Sequence, residues 1–107
     1  MRNKYGAVRT FSQLCEREFA SKAECRRGEE LCLLEKAGEI RDLRFQIRFL
    51  LNEKPRITIT IDFDYWEMGD KGWKRTLEDT KGVLTRDTRT KLAWLKDKLM
   101  MDVKLTK

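Results

Sequence analysis

Two stretches of the chain alternate between apolar and polar positions. In residues 43–51, Leu43, Phe45, Ile47, Phe49 and Leu51 fall on one side and Arg44, Gln46 and Arg48 on the other. In residues 56–66, Ile57, Ile59, Ile61, Phe63 and Tyr65 alternate with Thr58, Thr60, Asp62 and Asp64. A period of two belongs to a strand with one buried face. Asn52-Glu53-Lys54-Pro55 between them reads as a turn, and Met68-Gly69-Asp70-Lys71-Gly72 as a second. A third, less apolar strand is expected over 73–82, ending at Gly82.

Two further stretches carry a helical period. Residues 21–37 begin with Ser21 as an N-cap candidate and Glu24 three residues later, the pattern of a capping box. Leu31, Leu34 and Ala37 form a stripe with Cys25 and Cys32 beside it, and Gly38 supplies the stop. In residues 87–100, Thr88, Leu92, Leu95 and Leu99 recur on one helical face. Residues 102–106 read as a short last strand. Residues 1–20 carry the weakest pattern, with a short strand expected over 7–11 and Phe19 closing a hairpin or plugging the core. The expectation is an α/β (α+β) fold of order αβββα(β): one domain over residues 1–107, its mostly antiparallel sheet flanked by helices.

The length of 107 residues fits one domain. The charge adds a partner. Lys plus Arg number 24 against 18 Asp plus Glu, a net +6 that points to an anionic partner, nucleic acid first. Residues 83–107 hold seven Lys or Arg against three Asp, +4 of that +6. Lys91, Trp94 and Lys98 share a helical face away from the leucine stripe. Arg86 and Arg89 stand at the start of that helix, and Lys22 at the start of the first. These are candidate contacts to a phosphate backbone; the alternative is an ordinary solvated helix face.

The sequence has no His, which excludes His-based triads, His-ligated zinc and His general bases. The three cysteines, Cys15, Cys25 and Cys32, are odd in number and lack C-x-x-C spacing, so neither a disulfide framework nor a zinc site is expected. Cys25 and Cys32 read as small core residues. With no run of about 18 apolar residues and no signal-peptide core, no membrane contact and a cytoplasmic location are expected.

The middle hairpin carries the candidate chemistry. If its turn centres between Asp70 and Lys71, Asp62 stands opposite Asp79 and Thr60 opposite Lys81. Asp62, Asp64, Asp79 and Lys81 then share a face, whereas a one-residue slip brings Glu78 there. Like charges directly opposite destabilise a sheet, and folds tolerate them where something binds. Mg²⁺ needs only one or two carboxylates together with water and substrate phosphate. Lys81 would hold the attacking water or the transition-state charge, which suits metal-assisted phosphodiester hydrolysis. The plainer reading is a solvated strand face with surface ion pairs.

The string Ile61-Asp62-Phe63-Asp64-Tyr65, followed by Glu78-Asp79-Thr80-Lys81-Gly82, resembles the motif of the PD-(D/E)xK nucleases. That superfamily includes restriction endonucleases and Holliday-junction resolvases. The wider chain resembles a small phage and prophage family assigned to it. Matching stretches are Lys4-Tyr5-Gly6, residues 21–27, Ala37-Gly38-Glu39-Ile40, Asp42-Leu43, Gln46, Asp62-Phe63 and Lys96-x-Lys98-Leu99.

The resemblance implies an αβββα(β) core and an endonuclease that cuts DNA, branched or duplex, with Mg²⁺ or Mn²⁺. Asp62 and Asp79 would hold the metal, Lys81 would position water, and Glu24 would be an additional acid. Asp64 and Glu78 would be accessory acids. It further implies a homodimer or a phage or host replication or recombination protein as partner, in the bacterial cytoplasm. Ile61 stands where the motif has proline, and residues 11–18 fit the family poorly. Glu24 keeps two readings, metal ligand or capping partner of Ser21. Two other function classes stand beside the nuclease: a nucleic-acid-binding module without catalysis, and a phage protein that binds a host or replication protein.

Overall fold

The structure is a computed structural model that describes residues 8–81 and 84–106. Its elements are β1 (Thr10–Ser12), β2 (Arg17–Phe19), α1 (Lys22–Lys36), β3 (Ile40–Asn52), β4 (Ile57–Gly69), β5 (Gly72–Thr80), α2 (Arg86–Leu99) and β6 (Val103–Thr106). After a small N-terminal hairpin the order is αβββαβ, as the sequence pattern predicts. Lys4-Tyr5-Gly6, Ala7, Gly82 and Val83 lie outside the described residues.

Strands β3 to β6 form a mostly antiparallel sheet in the order β3-β4-β5-β6. A four-residue turn, 53–56, joins β3 to β4, and the two-residue turn Asp70-Lys71 joins β4 to β5. Gly72 has φ +107°, which a residue with a side chain adopts only under strain. β6 runs parallel to β5, with Leu77 opposite Val103 and Thr80 opposite Thr106. A parallel neighbour requires a crossover, and α2 is that crossover.

The chain divides into two units, Met1–Leu43 with Trp66–Lys74, and Arg44–Tyr65 with Arg75–Lys107. In the first, β1 and β2 pair antiparallel, Thr10 opposite Phe19, and α1 packs on both. Phe19, Cys25, Leu31 and Ile40 are buried there. Ser21 caps α1 by accepting from the N–H of Glu24 at 3.1 Å. The helix ends as a Schellman motif: Gly38 N–H donates to Glu35 O and Glu39 N–H to Leu34 O, with Gly38 at φ +81°. The buried side of α1 runs through Glu24, Cys25, Gly28 and Leu31, whereas Ala37 is exposed and Leu34 half-buried. The apolar stripe thus sits one turn earlier than expected, because the last turn of α1 lies in solvent.

In the second unit Leu51, Ile59, Ile61, Leu77 and Leu95 are buried together, with Leu92, Leu99 and Val103 packed against them. The leucine stripe of α2 thus closes the core it is spaced to meet. Thr85 caps α2, accepting from the N–H of Thr88 at 3.1 Å. Along β5, Thr76, Leu77, Glu78 and Asp79 are all buried. Four consecutive buried residues mean that both faces of this inner strand are covered, so two acids lie inside the protein.

Candidate metal and phosphodiester site

The strand pairing brings Asp62, Asp79 and Lys81 together. Asp79 is 1 % exposed. Its Oδ1 accepts a hydrogen bond from the backbone N–H of Asp62 at 2.9 Å. In return, Asp62 Oδ2 accepts from the backbone N–H of Thr80 at 2.8 Å. The two carboxylates do not meet head-on. Each reaches across to the neighbouring strand's backbone and takes an amide donor there, which offsets the repulsion expected of opposed acids. The other oxygen of Asp62 accepts from Gln46 Nε2 at 3.0 Å.

The second oxygen of Asp79 is in a different position. Lys81 Nζ lies 2.9 Å from Oδ2 as an ion pair. That approach lies outside hydrogen-bond geometry, and Oδ2 remains a buried oxygen with no hydrogen bond. A buried acceptor left in this state costs free energy. Lys81 is partly exposed, so it can turn to solvent or to a ligand. The cluster of Asp62, Asp79 and Lys81 carries a net −1.

β6 fixes the end of β5 on which the cluster stands. Lys81 N–H donates to Thr106 O at 2.9 Å, and the hydroxyls of Thr80 and Thr106 lie 3.3 Å apart. Glu78 is used structurally: its Oε1 accepts from Tyr65 Oη–H at 2.7 Å and its Oε2 from Thr106 Oγ1–H at 3.3 Å. Asp64 is likewise engaged. Arg75 grips it in a fork, Nε to Oδ1 and a terminal nitrogen to Oδ2, both at 2.9 Å, and Arg44 also donates to Oδ2. These hydrogen bonds push the Arg75 guanidinium above its ordinary value. Both accessory acids therefore have protein partners on each oxygen.

Glu24 is buried in the first turn of α1. It belongs to the first unit, and Asp62, Asp79 and Lys81 to the second. Its backbone N–H makes the cap bond to Ser21, the half of the capping box that the spacing predicts. Of the basic residues singled out in the sequence, Lys22, Arg86, Arg89 and Lys98 are exposed. Trp94 is 37 % exposed, and Lys91 pairs with Asp87 at 3.4 Å.

The donors present fit a hard divalent cation. Asp79 Oδ2 has no hydrogen bond, and the Asp62 carboxylate stands beside it, tied across the strand pair by the amide of Thr80. Among the described residues, no group of three or more His, Cys, Asp or Glu side chains is arranged to hold a metal. A two-carboxylate site suits Mg²⁺ or Mn²⁺, which keep several waters and draw other ligands from substrate phosphates. Sequence reasoning missed Gln46 as the partner of Asp62 and Arg44 and Arg75 as the partners of Asp64. The signal for Arg44 and Gln46 was the polar side of β3, where they stand two residues apart.

The chain belongs to the family described as "Protein of unknown function (DUF1064)", which matches residues 2–107. No curated protein and no solved structure matches it. Among the described residues, no helix is long and apolar enough to cross a membrane.

Proposed function

We propose that this chain is a divalent-metal-dependent endonuclease that hydrolyses phosphodiester bonds in DNA. The observation that carries the reading is the buried, hydrogen-bond-free Oδ2 of Asp79 beside Asp62 and Lys81. Pure structural economy favours an amide or an apolar residue at such a position. A carboxylate oxygen that accepts no hydrogen bond and meets only the ammonium of Lys81 suits a cation.

Asp62 and Asp79 would hold Mg²⁺ or Mn²⁺. When bound, the metal polarises a phosphoryl oxygen and lowers the pKa of a coordinated water. The protein groups have separate tasks. The amides of Asp62 and Thr80 fix the two carboxylates, so their oxygens are aimed before any ligand arrives. Lys81 is a partly exposed cation that can orient a nucleophilic water or meet the charge that develops on the phosphoryl oxygens. The strand end that carries Lys81 is pinned by Thr106.

The basic excess supports a polyanionic substrate. Arg86, Arg89 and Lys98 extend from α2 into solvent with Trp94 half-exposed, and Lys22 does so from α1. Such contacts hold a backbone without reading bases. A chain of this size has little room for base-reading loops, so recognition of branched or duplex shape, or delivery by a replication or recombination partner, follows. Phage origin, the bacterial cytoplasm and a homodimer making paired cuts belong to the same reading.

The test is nicking of supercoiled and branched DNA in Mg²⁺, Mn²⁺ or EDTA by wild type, Asp79→Ala and Lys81→Ala. Cleavage by wild type with metal, abolished by EDTA and by either substitution, is the expected result. Absence of cleavage in every metal, with DNA affinity unchanged in both variants, contradicts the proposal. For Glu24, cleavage lost in Glu24→Gln at an unchanged melting temperature makes it an acid of the site. A loss of about 1 kcal/mol of stability with activity intact makes it a cap alone.

A further inference from the structure

We propose that Cys15 and Cys32 form a reversible disulfide that staples the β1–β2 turn to α1. The inference is independent of the proposed nuclease activity. The two sulfurs lie 2.8 Å apart, although the residues are 17 positions apart in the chain. Both thiols are free and half-buried, whereas Cys25 is buried.

The approach is built into the fold. Cys15 lies in the four-residue turn between β1 and β2, where Glu16 takes a left-handed conformation at φ 56°. The backbone N–H of Cys15 donates to Ser12 Oγ at 3.1 Å. Ser12 is itself buried, and its hydroxyl donates to Glu29 Oε2 at 2.6 Å. Glu29 and Cys32 are three residues apart on α1 and so share a face. Ser12 thus ties the turn to the helix at the point where the two thiols meet. The ordering that a disulfide usually imposes is already present in the thiol form, so closing the bond requires little rearrangement.

The reaction needs an electron acceptor, and a low-molecular-weight disulfide is the class that serves. The Cys15 thiolate attacks one sulfur of that disulfide, forming a mixed disulfide and releasing one thiol. Cys32 then loses its proton and attacks the Cys15 sulfur, which releases the second thiol. The two cysteines are oxidised by two electrons, and the small disulfide is reduced to two thiols. Burial, followed by the hydrogen bond and charge of Cys15, pushes the Cys32 thiol up to about 12. The second step follows the first because its electrophile is the mixed disulfide that the first step makes.

The test treats the purified full chain with oxidised glutathione, followed by non-reducing peptide mapping and thermal melts. The expected product has lost two hydrogens, links Cys15 to Cys32, and leaves Cys25 as a free thiol. Its melting temperature rises by about 10 °C, as for a closed loop of this length, and reducing agent reverses the rise. Cys25→Ala should form the same bridge. Cys32→Ser should stop at the glutathione adduct on Cys15. Persistence of three free thiols, a stable glutathione adduct on wild type, or a bridge that includes Cys25 would each overturn the inference.

Discussion

Asp64 and Asp79 are buried to the same depth, 1 % exposed each, on adjacent strands, yet their surroundings differ in kind. Asp64 has a guanidinium on each oxygen and a second guanidinium on one of them, so its charge is more than matched. Asp79 has one backbone amide on one oxygen and, on the other, a lysine off the hydrogen-bond direction. The first arrangement is complete without a ligand and carries a net +1. The second carries a net −1 with Asp62 and Lys81 and leaves an oxygen without a hydrogen bond. Burial alone therefore does not distinguish the two acids, whereas satisfaction of each oxygen does.

The comparison is broken most severely by Asp64→Asn. It leaves two guanidiniums facing a neutral amide in a buried position. The expected loss is about 3 kcal/mol, toward the lower end for a buried pair because both arginines reach solvent. Urea unfolding measures it, and a loss below about 1 kcal/mol would place Asp64 in the same category as Asp79.

Lys81→Met comes next. It removes the only cation within ion-pair distance of Asp79 among the described residues and leaves a buried carboxylate with the single amide donor of Asp62. A loss of about 1.5 kcal/mol is expected from urea unfolding. A third variant, Asp79→Asn, keeps an oxygen for the Asp62 amide and should change stability by less than about 1 kcal/mol. The contrast with Asp64→Asn is the point: equal burial, unequal cost. The smallest effect belongs to Arg44→Gln. Arg44 is 57 % exposed, and the Arg75 fork remains, so about 0.5 kcal/mol or less is expected from a denaturant midpoint.

The αβββαβ order was legible because each element declares its own period. β3 and β4 alternate over most of their length, Ser21 and Gly38 bracket α1, and the leucines of α2 fall on one face. The meeting of Asp62 with Asp79 was legible as well, because a two-residue turn fixes the register of the strands it joins. The partners on β3 were not. A four-residue turn leaves the β3–β4 register open, and Asp42 and Gln46 take positive φ within β3, at 53° each. Such kinks re-aim side chains in ways that polar alternation does not encode. Four consecutive buried residues on β5 likewise hid the fate of Glu78, whose neighbour Tyr65 supplies a hydroxyl that the apolar pattern counts only as a ring. The Cys15–Cys32 approach was also invisible, since it depends on Ser12 and Glu29 holding a turn against a helix.

The central claim is that Asp62 and Asp79 form a divalent-cation site, and Mn²⁺ titration by calorimetry tests it without reference to any substrate. Wild type and Arg44→Gln should bind Mn²⁺ alike, while Asp79→Asn, folded and of similar stability, should lose the binding. Equal Mn²⁺ binding by wild type and Asp79→Asn, or none by wild type, would contradict the account.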